Sequence, residues 1–376
     1  LNMNASKRFY IFTLHSAFVI YAIQPILFLL LLFDQVSLRD FLRQFSYFII
    51  SICLAYLIFF SDTHTKRVLS LSSTFLCFTF LISFSIYAST VPNILDLLWL
   101  GIKSGDSSLL IFGIFRRVAS ANVFDTTLDH IRANIRHDIA SSALFASFTS
   151  LTFLPSQKKQ FIRGVILFTS LISFSLTFIL LSRAAIVSAV LAVIHLMILH
   201  KPKLRLRPGW KKDFKKIFFI VTLLFVVLGI FFGRLLMTRF IEDTKSYSER
   251  IDRLSGSLNL LASSSFFFPA DRDQSMLAGN SHIWSIELWK VGGIIGLLAG
   301  LALTAFLLRS IFTSSTRFEN LQQLMGFDSR FAVALLWLPV VRLHTAGSAL
   351  STSEWLSIGL FIGTYIATLS KPKSMG

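Results

Sequence analysis

Apolar stretches bounded by charge recur along this chain at 10–33, 45–60, 68–88, 139–154, 162–181, 184–199, 217–237, 291–312, 331–343 and 355–370. A helix needs about 20 apolar residues to cross a hydrocarbon core about 30 Å thick. Nine of the stretches come near that length, and 331–343 is the short one. The pattern predicts an all-α polytopic helical bundle of about ten transmembrane helices, a single integral membrane domain over 1–376. No small-residue cleavage site follows the first apolar stretch, so it is read as a retained crossing and not a signal peptide.

Composition agrees with that pattern. The 376 residues are 54% hydrophobic and only 15% charged, with 40 Phe, and the mean hydropathy is +0.69. A formal net charge of +17 raises nucleic acid as a partner. The basic residues lie between the apolar stretches, however, where the positive-inside rule accounts for them, so no nucleic acid is expected. The loop 201–216 holds eight basic residues and one acid and is expected in the cytoplasm. Counting crossings outward from it also puts Lys7-Arg8, Lys66-Arg67, Lys158, Lys159, Arg163, Lys371 and Lys373 inside, with both termini.

The same count leaves two long segments outside: 89–138, and a large loop at 238–290 between the seventh and eighth crossings. Long loops of this kind usually carry function or disorder. Within the first, 95–102 has the character of an interfacial amphipathic helix. Cys53 and Cys77 lie in apolar stretches, so neither a disulfide framework nor a cysteine metal site is implied. The chain carries no repeat, P-loop or heptad run.

Three groups on the outer face suit chemistry on an anionic substrate. Arg183 lies in Leu181-Ser182-Arg183-Ala184-Ala185, between crossings that must turn sharply. Arg250 opens Arg250-Ile251-Asp252-Arg253-Leu254, which has the pattern of an amphipathic helix. His282 precedes the glycine-led crossing Val291-Gly292-Gly293-Ile294-Ile295-Gly296. Arginine grips phosphate oxygens through a planar, permanently charged fork. Neutral imidazole takes a proton near neutral pH. The plain alternatives are a snorkelling anchor for Arg183, a solvated charge for Arg250 and an idle interfacial histidine. Arg136, Arg253, Glu287 and Arg342 are secondary candidates, with Glu287 and His344 the next choices for a base.

The arrangement of His282 ahead of Gly293-x-x-Gly296, the Ser182-Arg183-Ala184 turn and the arginine-led segment from Arg250 resembles the bacterial O-antigen ligases and the related O-antigen polymerases. The resemblance covers about 130–345, with motif order and expected topology alike. Ile283 departs from it, standing where the family has a polar residue.

The resemblance implies a glycosyltransferase of the bacterial inner membrane that uses neither metal nor other cofactor. Its donor would be a glycan on undecaprenyl diphosphate. Its acceptor would be a lipid A core sugar in a ligase, or a second lipid-linked glycan in a polymerase. His282 would be the general base, while Arg183 and Arg250 would hold the diphosphate. A polysaccharide-lipid transporter or flippase is the competing class. The centres of the apolar stretches lack the ionisable groups that ion coupling uses, His15 and His195 being polar exceptions with Gln24.

The topology is checked with alkaline phosphatase fusions. A fusion at Asp271 is expected to be active and one at Trp210 inactive; the opposite pattern overturns the orientation.

Overall fold

The computed structural model describes residues 38–89, 96, 99, 100, 103, 104, 129–179, 182–199, 244–278, 281, 283–314, 327–345 and 350–370. The expected crossings at 10–33 and 217–237, the basic loop 201–216 and His282 lie outside these residues. No strand occurs among the described residues. Three stretches, Ile139–Ser156, Gln160–Phe178 and Trp284–Phe312, are long and apolar enough to cross a membrane, and Phe45–Phe60 and Arg183–Met197 are shorter apolar helices. The chain is an all-α membrane protein.

The helices are α1 (Leu38–Phe60), α2 (Thr63–Ser89), α3 (Asp129–Phe153, running into a 3₁₀ turn at Leu154–Ser156), α4 (Gln160–Ile179) and α5 (Arg183–Leu199). They continue as α6 (Thr244–Ser263), α7 (Arg272–Ala278), α8 (Trp284–Ser314), α9 (Ser329–Leu335), α10 (Trp337–Thr345) and α11 (Thr352–Ser370). The expected crossing at 331–343 is divided between α9 and α10 by a turn at Leu336. Pro339 supplies the reason. Proline has no N–H for the carbonyl four residues earlier, and its ring crowds that group. The carbonyl in question belongs to Leu335, where α9 ends.

One unit of the fold holds α2 to α5 and α9. Its centre is α3, whose side toward α4 is built from small and hydroxyl residues. Ser173 Oγ donates to the Ala143 carbonyl at 2.9 Å, and Ser147 Oγ to the Ser170 carbonyl at 2.8 Å. Cys77 of α2 meets Ser150 at 3.7 Å. Small residues let backbones approach, and such cross-helix bonds each contribute about 0.6–2 kcal/mol in a membrane.

At one end of this unit, Arg67 Nε donates to the Ser156 carbonyl at 3.1 Å, and Gln157 Nε2 returns a bond to the Arg67 carbonyl at 3.1 Å. Lys66 Nζ lies 5.3 Å from the Phe327 ring centre. Lys66-Arg67 in the first turns of α2 and the short loop at Lys158-Lys159 thus share one end, in keeping with the charge pattern. At that end Asp62 accepts from the Thr65 N–H at 2.7 Å, and this backbone bond at the start of α2 holds its carboxyl below its ordinary pKa.

The other unit holds α1, α6, α7, α8, α10 and α11. In it α1 and α11 run parallel at close range. A Cβ at Gly359 would collide with the Ser51 carbonyl, and one at Gly363 would come within 2.8 Å of the Ala55 carbonyl. Ser51 Oγ donates to the Trp355 carbonyl at 2.7 Å across the same seam. Phe306 of α8 packs on Phe361 of α11, and Phe312 of α8 on Trp337 of α10.

Gly359→Ala is therefore expected to lower stability by about 1–3 kcal/mol through overpacking. Gly164 of α4 has open space where its Cβ would stand. Gly164→Ala is expected to be neutral, or to gain up to about 1 kcal/mol from helix propensity. Thermal melts in one detergent check the pair; equal midpoints would refute the close seam.

Candidate functional site

The loop that the sequence places outside holds two helices and a tether. Along α6, Glu249, Ile251, Asp252 and Arg253 are exposed while Arg250 is half-buried. Gly256 lets α6 approach α7, with the Ala278 carbonyl 3.4 Å from where a Cβ would sit. Leu260, Ala270 and Trp289 form a core, with Leu261, Ala278 and Leu297 packed around it.

α8 is two helical segments joined at Gly293, whose φ of 56° and ψ of −146° are non-helical. Such a φ is open to glycine and strained for any residue with a Cβ. The turn there is a reversal. A Cβ at Gly300 would come within 2.8 Å of Ser285 Cα, so residues 15 apart in sequence touch. In a straight helix they would stand about 22 Å apart. The segment 284–292 therefore folds back along the start of the segment 294–314. Sequence reading starts the crossing at 291 and leaves 284–290 in a loop; the added helix and its reversal were signalled only by the Gly292-Gly293 pair.

Three bonds fasten the loop after α6 to this apex. Trp289 Nε1 donates to the Phe266 carbonyl at 3.1 Å, the Ile294 N–H to the Phe267 carbonyl at 3.4 Å, and the Ala270 N–H to the Lys290 carbonyl at 3.0 Å.

His282 is not among the described residues, but both its chain neighbours are. Ser281 is buried, its N–H donates to Glu287 Oε1 at 2.7 Å, and its Oγ donates to the Ile283 carbonyl at 3.1 Å. Ile283 in turn begins the helical bonding of α8, its carbonyl accepting from the N–H groups of Ile286 and Glu287. The described flanks thus stand within about one turn of Ser285, which touches Gly300, beside the segment 294–314 and away from its apex.

Two ion pairs lie in the same unit, one with a half-buried carboxylate and one buried on both sides. Glu287 Oε1 accepts from Lys290 Nζ at 3.0 Å, with only 3% of the lysine side chain exposed. Arg342 Nε stands 4.0 Å from Glu354 Oε1, and both side chains are buried. Glu354 also accepts from the Ser351 N–H at the start of α11. The secondary candidates Glu287 and Arg342 thus have carboxylate–cation partners, while His344 is exposed in the last turn of α10.

Sequence reading gave no role to Lys290 or Glu354. The Glu354 signal was present as Ser351-Thr352-Ser353-Glu354, the capping-box spacing. Nothing in the pattern revealed that the carboxylate faces Arg342.

In the unit of α2 to α5, Arg183 is the first residue of α5 and is half-buried. Buried Ser182 precedes it, its carbonyl accepting from the Ile186 N–H at 2.9 Å. Ala185 packs on Ala140 and Ile139 of α3. That contact brings Arg183 to the end of α3 that holds Arg136, one turn before Ala140 on the same helix. Among the described residues no three His, Cys, Asp or Glu side chains gather as a metal site. No family model, curated protein or solved structure matches the chain.

Glu287→Gln keeps an acceptor for the Ser281 N–H and removes the carboxylate beside buried Lys290. It is expected to cost about 1–3 kcal/mol. Combined with Lys290→Met, it should cost less than the sum of the two singles, with a coupling of about 0.5–3 kcal/mol in a double-mutant cycle. Strict additivity would show that the two groups do not interact.

Proposed function

We propose that the chain transfers a glycan from undecaprenyl diphosphate to a sugar hydroxyl at the periplasmic face of the bacterial inner membrane, in the manner of an O-antigen ligase. The observation that carries this reading is Arg183. It stands half-buried at the N-terminus of α5, where the helix dipole is positive. A cation there opposes the dipole by about 0.3–1 kcal/mol, whereas an anion is favoured by the dipole. A bound diphosphate reverses the sign of that cost, and a mere membrane anchor does not.

In the proposed reaction, His282 accepts the proton of the acceptor hydroxyl as the hydroxyl oxygen attacks the anomeric carbon. The bond from that carbon to the diphosphate oxygen breaks, and undecaprenyl diphosphate leaves with the bonding electrons. Direct displacement inverts the anomeric centre. Arg183 and Arg250 stabilise the departing charge, and each charge-assisted bond contributes about 1.5–3 kcal/mol. A lipid A core sugar is the acceptor in the ligase reading, and a second lipid-linked glycan in the polymerase reading. Transport of the lipid-linked glycan is the second reading. It draws on the pairs Glu287–Lys290 and Arg342–Glu354, since buried charge in a membrane protein often marks a substrate path.

The test is glycan transfer by purified protein from a lipid diphosphate donor. His282→Gln keeps polarity but is no base at neutral pH, and the expected residual rate is about 10⁻²–10⁻⁴ of wild type with donor binding kept. Arg183→Lys, which keeps charge but loses the planar fork, is expected to be as poor as Arg183→Ala. Near wild-type transfer by the histidine variant removes His282 as the base. Translocation without transfer by the unaltered protein would select the transporter reading.

A further inference from the structure

The loop after α6 shows its three phenylalanines to the outside. Phe266, Phe267 and Phe268 are 40%, 69% and 70% exposed, the last two among the most exposed large apolar side chains described. A run of exposed aromatics held by its own backbone calls for a partner.

Depth along α8 identifies that partner. After the reversal at Gly293, the stretch 294–308 is uncharged and ends at the exposed Arg309. From Gly293 to Arg309 is 16 residues of largely helical rise, about 24 Å, less than the roughly 30 Å of a hydrocarbon core. Taken on to Phe312, where the apolar stretch itself ends, the rise is about 28 Å, so with either residue at one boundary the apex at Gly293 does not clear the opposite one. The Phe267 carbonyl is bonded directly past that apex, to the Ile294 N–H. The loop is therefore level with the far edge of the hydrocarbon and not out in the water beyond it.

The backbone of the loop suits that depth. Irregular chain is tolerated at membrane depth only where its polar groups find partners within the protein. The Phe266 carbonyl is served by Trp289 Nε1, the Phe267 carbonyl by the Ile294 N–H, and the Ala270 N–H by the Lys290 carbonyl. Pro269 has no N–H to satisfy. Two carbonyls and one N–H of the loop thus turn inward, while its rings face outward.

We propose that Phe266, Phe267 and Phe268 form a membrane-inserted wedge, their rings among the acyl chains just beneath the headgroups on the Gly293 side of the bilayer. The partner is the lipid of the same membrane that α8 crosses. This placement rests on the hairpin and its tether; by the same geometry the flanks of His282, beside Gly300, lie about 10 Å below the Gly293 apex, so the general-base role proposed above requires a cleft open to the periplasm at that depth.

Nitroxide labels at single cysteines test it, in protein carrying Cys53→Ser and Cys77→Ser and reconstituted in phospholipid nanodiscs. Labels at Phe267→Cys and Phe268→Cys are compared with Leu298→Cys, exposed on the apolar segment of α8, and with Asp273→Cys, exposed on α7. Collision with oxygen, which concentrates in lipid, is read against collision with a water-soluble nickel chelate. The wedge predicts that oxygen dominates at Phe267 and Phe268 as at Leu298, with the ratio inverted at Asp273. Access to nickel at the phenylalanine positions equal to that at Asp273 would place the loop in water and overturn the proposal. Protection from both reagents would show the rings covered by protein, a second copy or another chain, and would overturn it equally. Both positions are largely exposed, Phe267 making an edge contact with neighbouring Phe266, and monodisperse elution confirms folding before the spectra are read.

Discussion

The unit of α1, α6, α7, α8, α10 and α11 depends on a single backbone conformation, the positive φ at Gly293. A side chain there would strain the backbone and also collide with the Phe267 carbonyl, so two separate constraints select glycine at the same place. From that reversal follow the return of 284–292 along 294–314, the seat for the loop after α6 and the burial of Trp289 and Lys290. Each interaction is modest alone. Together they share one hinge, which makes them cooperative.

The unit of α2 to α5 and α9 is held differently. Its helices meet through hydroxyls and small side chains and through buried Phe148, whose ring contacts Phe174 and Phe331, and several further hydroxyls bond back to a carbonyl four residues earlier on their own helix. Within lipid, apolar contact between helices gives little advantage over contact with acyl chains. Close approach and satisfied polar groups then decide which faces meet. The many serines and threonines among 139–182 are intelligible in those terms.

Much of the helical layout was legible because crossing a membrane imposes a length and a composition that sequence displays directly. The stretches at 45–60, 68–88, 162–181 and 184–199 correspond closely to α1, α2, α4 and α5. Legibility failed where local backbone rules outweighed hydropathy. Pro339 divided one apolar stretch into α9 and α10, and Gly293 folded another back on itself. The site was less legible still. Arg183 was singled out because a cation at a sharp turn stands out along the sequence. The Glu287–Lys290 pair hides in ordinary i, i+3 spacing, and the partnership of Arg342 with Glu354 depends on two helices that only the fold brings together. Pattern reports which residues are unusual along the chain; it reports poorly which of them meet.

The seam between α1 and α11 bears on the order of assembly. Ser51 and Trp355 are bonded across 304 residues of sequence, with Ser51 on α1 and Trp355 on α11. Synthesis proceeds from the N-terminus, so α1 is made long before the glycines that receive it. Through that interval the Ser51 side chain and the surface beside Ala55 and Ile58 lack their final neighbour and face lipid or transient company. The unit closes only when α11 arrives, and a chain stopped before Trp355 leaves the first described helix still waiting.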